Sequence, residues 1–280
     1  MKNEQFKKTT DSRVEELVKT EILGVGITNA NKKSVLEFVA KTLEEKNNKY
    51  FIVTPNPEIV MYASRHPKFK EILNNAGIAL CDGMQLFRAA AFVGKPLIER
   101  ITGVEFMESL CKYISKKPIT VGFLGGKNGV AKMTAERLSK KYPGLKVCFI
   151  GEEHTDMINY ELSITHKGKD NVRKNMHKNS KLEDNQRNNI DILFVAFGFP
   201  KQEEWMFKNL GRLNVSVMMG VGGAFDYISG KVQRAPIWIQ SLGLEWLYRL
   251  IRQPWRWRRQ LSLVTFVWLI MKEKIQKRIV

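Results

Sequence analysis

The chain has 280 residues, 44% of them hydrophobic and 10% aromatic, enough apolar material for a substantial core and enough to exclude wholesale disorder. Lysine and arginine number 46 against 28 aspartates and glutamates, and the formal net charge of +18 calls for a phosphate-bearing partner: nucleic acid, anionic lipid or a phosphorylated substrate. Cys81, Cys111 and Cys148 are widely spaced without a C-x-x-C pair, which excludes a disulfide framework and a zinc knuckle; no apolar leader core and no run near the ~20 residues of a membrane span is present, so a cytosolic chain is expected.

Residues 1–20 form a polar lead-in. From Ile22 onward, short apolar runs hand over through Gly-, Pro-, Asn- or Asp-bearing turns to helical spacing. Tyr50–Thr54 predicts a strand, Pro55-Asn56-Pro57 a turn, and Glu58–Leu73 a helix. Gly77–Cys81 predicts the next strand, followed by Asp82-Gly83 and a helix over Met84–Phe92. Ile119–Leu124 leads through Gly125-Gly126-Lys127-Asn128-Gly129 to a helix over Val130–Lys141. Residues 154–189 are a polar, Lys- and Asn-rich surface excursion. Ile190–Gly198 and Val215–Met219 predict two more strands, the first followed by a helix over Glu203–Leu210, the second by the glycine loop Gly220–Asp226. This alternation predicts an α/β fold with a mostly parallel sheet covered by helices on both faces, its ligand beyond the C-terminal strand ends. The domain spans 21–235; residues 236–280 are a helical appendage.

The turns carry the candidate chemistry. In Thr54-Pro55-Asn56-Pro57-Glu58, helix capping explains every residue except the joint presence of Thr54 and Asn56. Asp82 is placed equally well for a helix cap or a general base. Arg100 offers a planar guanidinium in a turn, a diphosphate ligand or a solvated surface residue. Gly122–Gly129 has the look of a phosphate cradle but matches neither a Walker A nor G-x-G-x-x-G. Gly198-Phe-Pro-Lys-Gln202-Glu203 sets an amide, a cation and a carboxylate directly after an apolar strand, and Asp226 sits in a loop that is either a ligand cradle or merely mobile. The four histidines have no metal-ligand or nucleophile spacing.

The appendage carries the charge. Residues 231–280 hold eleven lysines and arginines against Glu245 and Glu273, and five of the six tryptophans. Beside them Leu261–Met271 is an eleven-residue apolar run, too short to span a bilayer. Such a helix docks on an anionic leaflet, or packs on the core, or forms an oligomer seam.

Six ordered strings, TPNPE (54–58), CDGMQ (81–85), ERITG (99–103), FLGG (123–126), GFPKQE (198–203) and GVGGAFDYISGKVQRAP (220–236), resemble the WecG/TagA/CpsF glycosyltransferases, and the similarity extends over about residues 21–259. The resemblance implies a Rossmann-like catalytic domain with a membrane-docking C-terminal appendage, at the inner face of the cell membrane. It also implies inverting transfer of a hexose, N-acetylmannosamine in TagA-like members, from a UDP-sugar to undecaprenyl-diphosphate-linked N-acetylglucosamine in wall teichoic acid synthesis, or another UDP-hexose for capsule or exopolysaccharide. Carried over by motif, Asp82 is the catalytic base. Thr54, Asn56, Arg100 and Gln202 line the sugar pocket, Asp226 faces the nucleotide, and Arg249, Arg256 and Arg259 reach back to the diphosphate. The excursion at 154–189 departs from the family's pattern.

Inversion needs one base for the acceptor hydroxyl and positive charge for the departing diphosphate. No D-x-D occurs in the sequence, so arginines and helix N-termini are expected in place of a metal, with no cofactor. A single-strand nucleic-acid binder would also be basic and Trp-rich, but the apolar run beside the charge argues against a nucleic acid partner. An NAD-dependent enzyme would carry G-x-G-x-x-G, and the third glycine is missing after Gly24-Val-Gly26.

Overall fold

The computed structural model describes residues 17–46, 48–152 and 190–279. The polar lead-in up to residue 16 and the excursion at 154–189 lie outside the described residues.

The first element is a hairpin that the sequence reading did not contain: β1 (Lys19–Ile22) and β2 (Val25–Thr28) pair antiparallel. Leu23 and Gly24 both take positive φ, 50° and 80°, the conformation of a tight primed turn, and leucine is an unusual residue there. Next, α1 (Lys32–Glu45) starts under an Asn31 cap, whose side chain accepts the Ser34 N–H. After β3 (Tyr50–Val53) the single predicted helix is two, α2 (Pro57–Arg65) and α3 (Pro67–Asn74). Pro67 has no N–H to continue the ladder, and it pushes His66 out of helical geometry, to φ −127° and ψ 88°.

β4 (Ile78–Ala79) is shorter than predicted. It is followed by α4 (Met84–Phe92), α5 (Gly103–Ile114), β5 (Thr120–Gly125), α6 (Val130–Lys141) and β6 (Lys146–Gly151). Beyond the excursion come β7 (Ile190–Ala196), α7 (Lys201–Asn209), β8 (Val215–Gly220) and α8 (Ala224–Ile228). The appendage consists of α9 (Ile237–Leu242), α10 (Glu245–Arg252), a 3-10 turn at Pro254–Arg256 and α11 (Trp257–Ile279). Among the described residues no helix is long and apolar enough to cross a membrane.

Six strands form one sheet in the order β4-β3-β8-β7-β5-β6, every pairing parallel. Every residue of β7 and β8 is buried, as expected for central strands covered on both faces. Alternation divides the core. Leu193 and Val195 of β7 join Phe51 and Val53 of β3 beneath α2, α3, α4 and α7. Ile192, Phe194 and Ala196 face the other way, with Ile52, towards α1, α5, α6 and α8.

The appendage is part of this core. α11 packs against α2 and inserts Phe266 and Ile270, 2% and 4% exposed, into the first of the two layers. Each contributes roughly 1.5–3 kcal/mol on burial. Lys95 links the end of α11 to the body, bonding the Glu273 carboxylate at 3.1 Å and the Glu21 carbonyl at 2.7 Å. The opposite face of the helix keeps Val264, Val267, Trp268 and Met271 in solvent. The apolar run is therefore a packed helix on one side and an uncovered apolar surface on the other.

Candidate active site

β4, β3 and β8 are neighbours in the sheet, so the loops beyond their C-terminal ends meet. Beyond β3, Asn56 caps α2 by accepting the Ile59 N–H at 3.0 Å, with Pro57 in the first turn. Capping and site-lining turn out to be compatible, since Asn56 also lines the cavity described below. Beyond β4, Gly83 rather than Asp82 occupies the cap position of α4, with φ 127°, a conformation that glycine alone adopts freely. Asp82 is thus released from capping its own helix. It turns instead to the N-terminus of α5, accepting the Gly103 N–H at 3.4 Å. A Cβ on Gly103 would stand 3.0 Å from the Thr54 methyl and 3.6 Å from the Asp82 carboxylate, so this approach depends on glycine.

The appendage closes the fourth side. Gln85 Nε2 donates to the Gly243 carbonyl at 2.7 Å and Arg88 Nη1 to the Leu242 carbonyl at 3.3 Å, tying the end of α9 to α4. Arg234 reaches Glu105 of α5 at 3.3 Å and Glu245 of α10 at 3.2 Å. Arg249 lies over the Tyr227 ring, 5.2 Å from its centre, and its guanidinium would be 3.0 Å from a Cβ on Gly223. The space enclosed is about 200 Å³, with Asn56, Asp82 and Arg100 on the domain side and Glu245, Trp246 and Arg249 on the appendage side.

Burial pushes the Asp82 carboxyl up to about 6. The Gly103 N–H opposes this, the Glu245 charge reinforces it, and the Arg100 and Arg234 guanidiniums pull the value down. Burial likewise pushes the thiol of Cys81 up and keeps it neutral.

Of the sequence-predicted residues, Asn56, Asp82, Arg100 and Arg249 share the cavity. Thr54 is buried and does not line it; its hydroxyl donates to the Gly220 carbonyl at 3.4 Å. Gln202 is buried and does not line the cavity. Its carbonyl accepts the Gly222 N–H at 3.0 Å while its amide donates to Glu203 at 2.7 Å, so it holds the glycine loop from behind. Asp226 is in the first turn of α8, half-buried and outside the cavity lining. Arg256 ends the 3-10 turn and Arg259 belongs to the first turn of α11; their side chains lie outside the described residues. In the Gly122–Gly129 loop, the Glu152 carboxylate bonds Gly129 N–H at 2.9 Å, the place a phosphate would take. Among the described residues no group of three His, Cys, Asp or Glu side chains is placed to hold a metal ion.

Arg234, Glu245, Trp246 and Tyr227 line the cavity without having been singled out as site residues. Their signal in the sequence was only membership of the GVGGAFDYISGKVQRAP string and of the Trp- and Arg-rich tail.

The model of the Glycosyl transferase WecG/TagA/CpsF family matches residues 20–279. The chain is similar to proteins named N-acetylglucosaminyldiphosphoundecaprenol N-acetyl-beta-D-mannosaminyltransferase. The one from Bacillus spizizenii is 31% identical over 86% of this chain and 86% of its own. The one from Staphylococcus aureus strain MW2 is 33% identical over 91% and 93%, and that from Bacillus subtilis strain 168 is 29% identical over 92% and 93%.

Proposed function

Because the chain belongs to the WecG/TagA/CpsF glycosyltransferase family, we propose that it transfers N-acetylmannosamine, with inversion, from a UDP-sugar to N-acetylglucosaminyl-diphosphoundecaprenol. The acceptor and the sugar are those in the names of the relatives. The observation that carries the reading is Asp82, a carboxylate of raised proton affinity in a cavity lined by arginines from both the α/β domain and the appendage.

Asp82 takes the proton of the acceptor hydroxyl as that oxygen attacks the anomeric carbon from the face opposite UDP. The new glycosidic bond forms, the bond to the diphosphate oxygen breaks, and UDP departs with the electron pair. Arg100 and Arg249 stabilise the charge that develops on it, a role that dipoles and cations fill best where water is excluded. A cleft that engulfs a drug-sized ligand measures ~300–1,000 Å³. The smaller space here fits the reacting end of the donor, leaving the nucleotide to extend beyond it, where Asp226 is assigned to face it. No metal is assigned to the reaction.

The appendage places the enzyme at the lipid. Ile237, Trp238, Ile251, Trp255, Val264 and Trp268 form its exposed apolar surface, interleaved with arginine and lysine, a composition suited to the headgroup layer of an anionic inner leaflet. The test is a panel of UDP-hexoses offered with a short-chain polyprenyl-diphosphate-linked N-acetylglucosamine. UDP-N-acetylmannosamine is expected to be turned over fastest, at a rate unchanged by EDTA. Preference for another donor overturns the sugar assignment, and loss of activity in EDTA overturns the arginine-based mechanism.

A further inference from the structure

Arg234 and Glu245 have no role in the reaction as written above, yet both line the cavity that holds Asp82. Arg234 sits in the segment entering the appendage, and Glu245 opens α10 within it. The guanidinium is held from two sides. Nη2 meets Glu105 on α5 at 3.3 Å and Nε meets Glu245 at 3.2 Å, with the Arg234 side chain only 22% exposed. Among the described residues none of the ion pairs includes Asp82, although the charges of Arg100 and Arg234 both act on it. The two glutamates take up the Arg234 guanidinium, and a guanidinium relieved of one of them in a partly desolvated cavity would turn to another carboxylate.

We propose that Glu245 is a positioning residue: delivered by the docked appendage, it clamps Arg234 against Glu105 and so keeps that guanidinium from pairing with Asp82, which stays available to take the acceptor's proton. The proposal rests on the reading of Asp82 as the base. It adds a second consequence of docking to the delivery of Arg249. Without the appendage, Glu245 is withdrawn and Arg234 loses one of its two partners. A carboxylate paired with arginine is a weaker base, since the opposite charge stabilises its ionised form.

The groups facing Asp82 come from every side of the cavity. They are the Gly103 N–H at the start of α5, the guanidiniums of Arg100 and Arg234, and the Glu245 carboxylate. Glu58 on α2 and Arg249 on α10 line the same space, and α11 adds the uncharged Ser262 and Leu263. Among these, Glu245 is the one whose charge raises the proton affinity of Asp82 while its bond occupies a competing cation.

The experiment compares pH profiles of kcat for the full chain and the variants Glu245→Gln, Glu105→Gln and Asp82→Asn, with UDP-N-acetylmannosamine and the short-chain lipid acceptor. Glu105 lies outside the cavity lining, and its substitution leaves the Gln85 and Arg88 ties to the appendage in place. Glu245→Gln moves the acid limb to lower pH through loss of its own charge alone, so the clamp is read from Glu105→Gln, which releases Arg234 towards Asp82 and is expected to move the limb to lower pH by roughly half a unit or more, with kcat at the plateau reduced. A merely structural role would lower kcat evenly at all pH values with the limb unmoved; that result, with Asp82→Asn inactive, overturns the proposal and leaves Asp82 as the base. If Asp82→Asn retains the kcat of the parent, the base assignment itself falls, and the proposal with it.

Discussion

Asp82 is subject to two opposed demands, because the surroundings that let it accept a proton near neutrality also make its ionised form costly. Substitution Asp82→Asn is expected to lower kcat by ~10²–10⁴-fold while leaving UDP binding intact. The same substitution is expected to raise stability. The folded-state value of about 6 lies above the ordinary ~3.9 of an aspartate, so the folded protein holds this proton more firmly than the unfolded chain, and stability is lost as pH rises through that window. The Tm advantage of the asparagine variant should therefore grow between these two values and level off above them, as thermal unfolding across pH would show. Glu203 poses the same problem more severely. It is 0% exposed, one of its oxygens has no hydrogen-bond partner, and burial pushes it up to about 7. Glu203→Gln keeps an acceptor for the Gln202 amide, and by the same sign it is expected to stabilise by ~1–3 kcal/mol at pH 8 with little effect at about pH 4, below the ordinary value of a glutamate. That Asn56 and Asp82 lie in turns beyond apolar strands was legible in TPNPE and CDGMQ. That Asp82 bonds the start of α5 rather than capping its own helix was not, because that depends on the positive φ of Gly83 and on a neighbour twenty-one residues away.

At the scale of elements, α11 separates two roles along one helix. Phe266→Ala empties a buried site beside α2 and is expected to cost ~3–5 kcal/mol, read as a fall in Tm with concurrent loss of kcat as the cavity wall loosens. Val264→Ser with Trp268→Ser alters only the uncovered face; Tm should hold while cosedimentation with anionic vesicles falls and turnover of a water-soluble acceptor persists. If vesicle binding is unaffected, the membrane face lies elsewhere. The apolar run Leu261–Met271 was readable as a helix that cannot remain in water, but its composition is the same whether core or lipid covers it. Only the angular positions of Phe266 and Ile270 relative to α2 assign each face. Likewise the β7 string IDILFVA announced a central strand, whereas the β1–β2 hairpin escaped notice because its turn is Leu-Gly and not the Asn-Gly that signals such turns. The break at Pro67 was present in the sequence and follows from proline's missing N–H.

For the whole molecule, the α/β domain and the appendage line one cavity and share a core layer. A chain ending at Arg234 loses Phe266 and Ile270 from the core and Glu245, Trp246 and Arg249 from the cavity, so it is expected to be less stable and to turn over even a water-soluble acceptor far more slowly than the full chain. Equal rates would show that the appendage serves location alone. Binding of the full chain to anionic vesicles should weaken with added salt, since the Debye length falls from ~10 Å at 0.1 M to ~3 Å at 1 M. The sequence by itself determined the α/β alternation, the family, the glycine and aspartate turns, and the concentration of charge and tryptophan in the last fifty residues. These are local properties of composition, period and turn chemistry. The tertiary structure decided which of those turns meet: β4, β3 and β8 lie side by side, Arg234 is gripped by glutamates 129 and 11 residues away, and Gln202 serves the glycine loop instead of the cavity. Contacts between distant positions depend on strand order and on how one helix lies across another, and no local pattern in the chain encodes either.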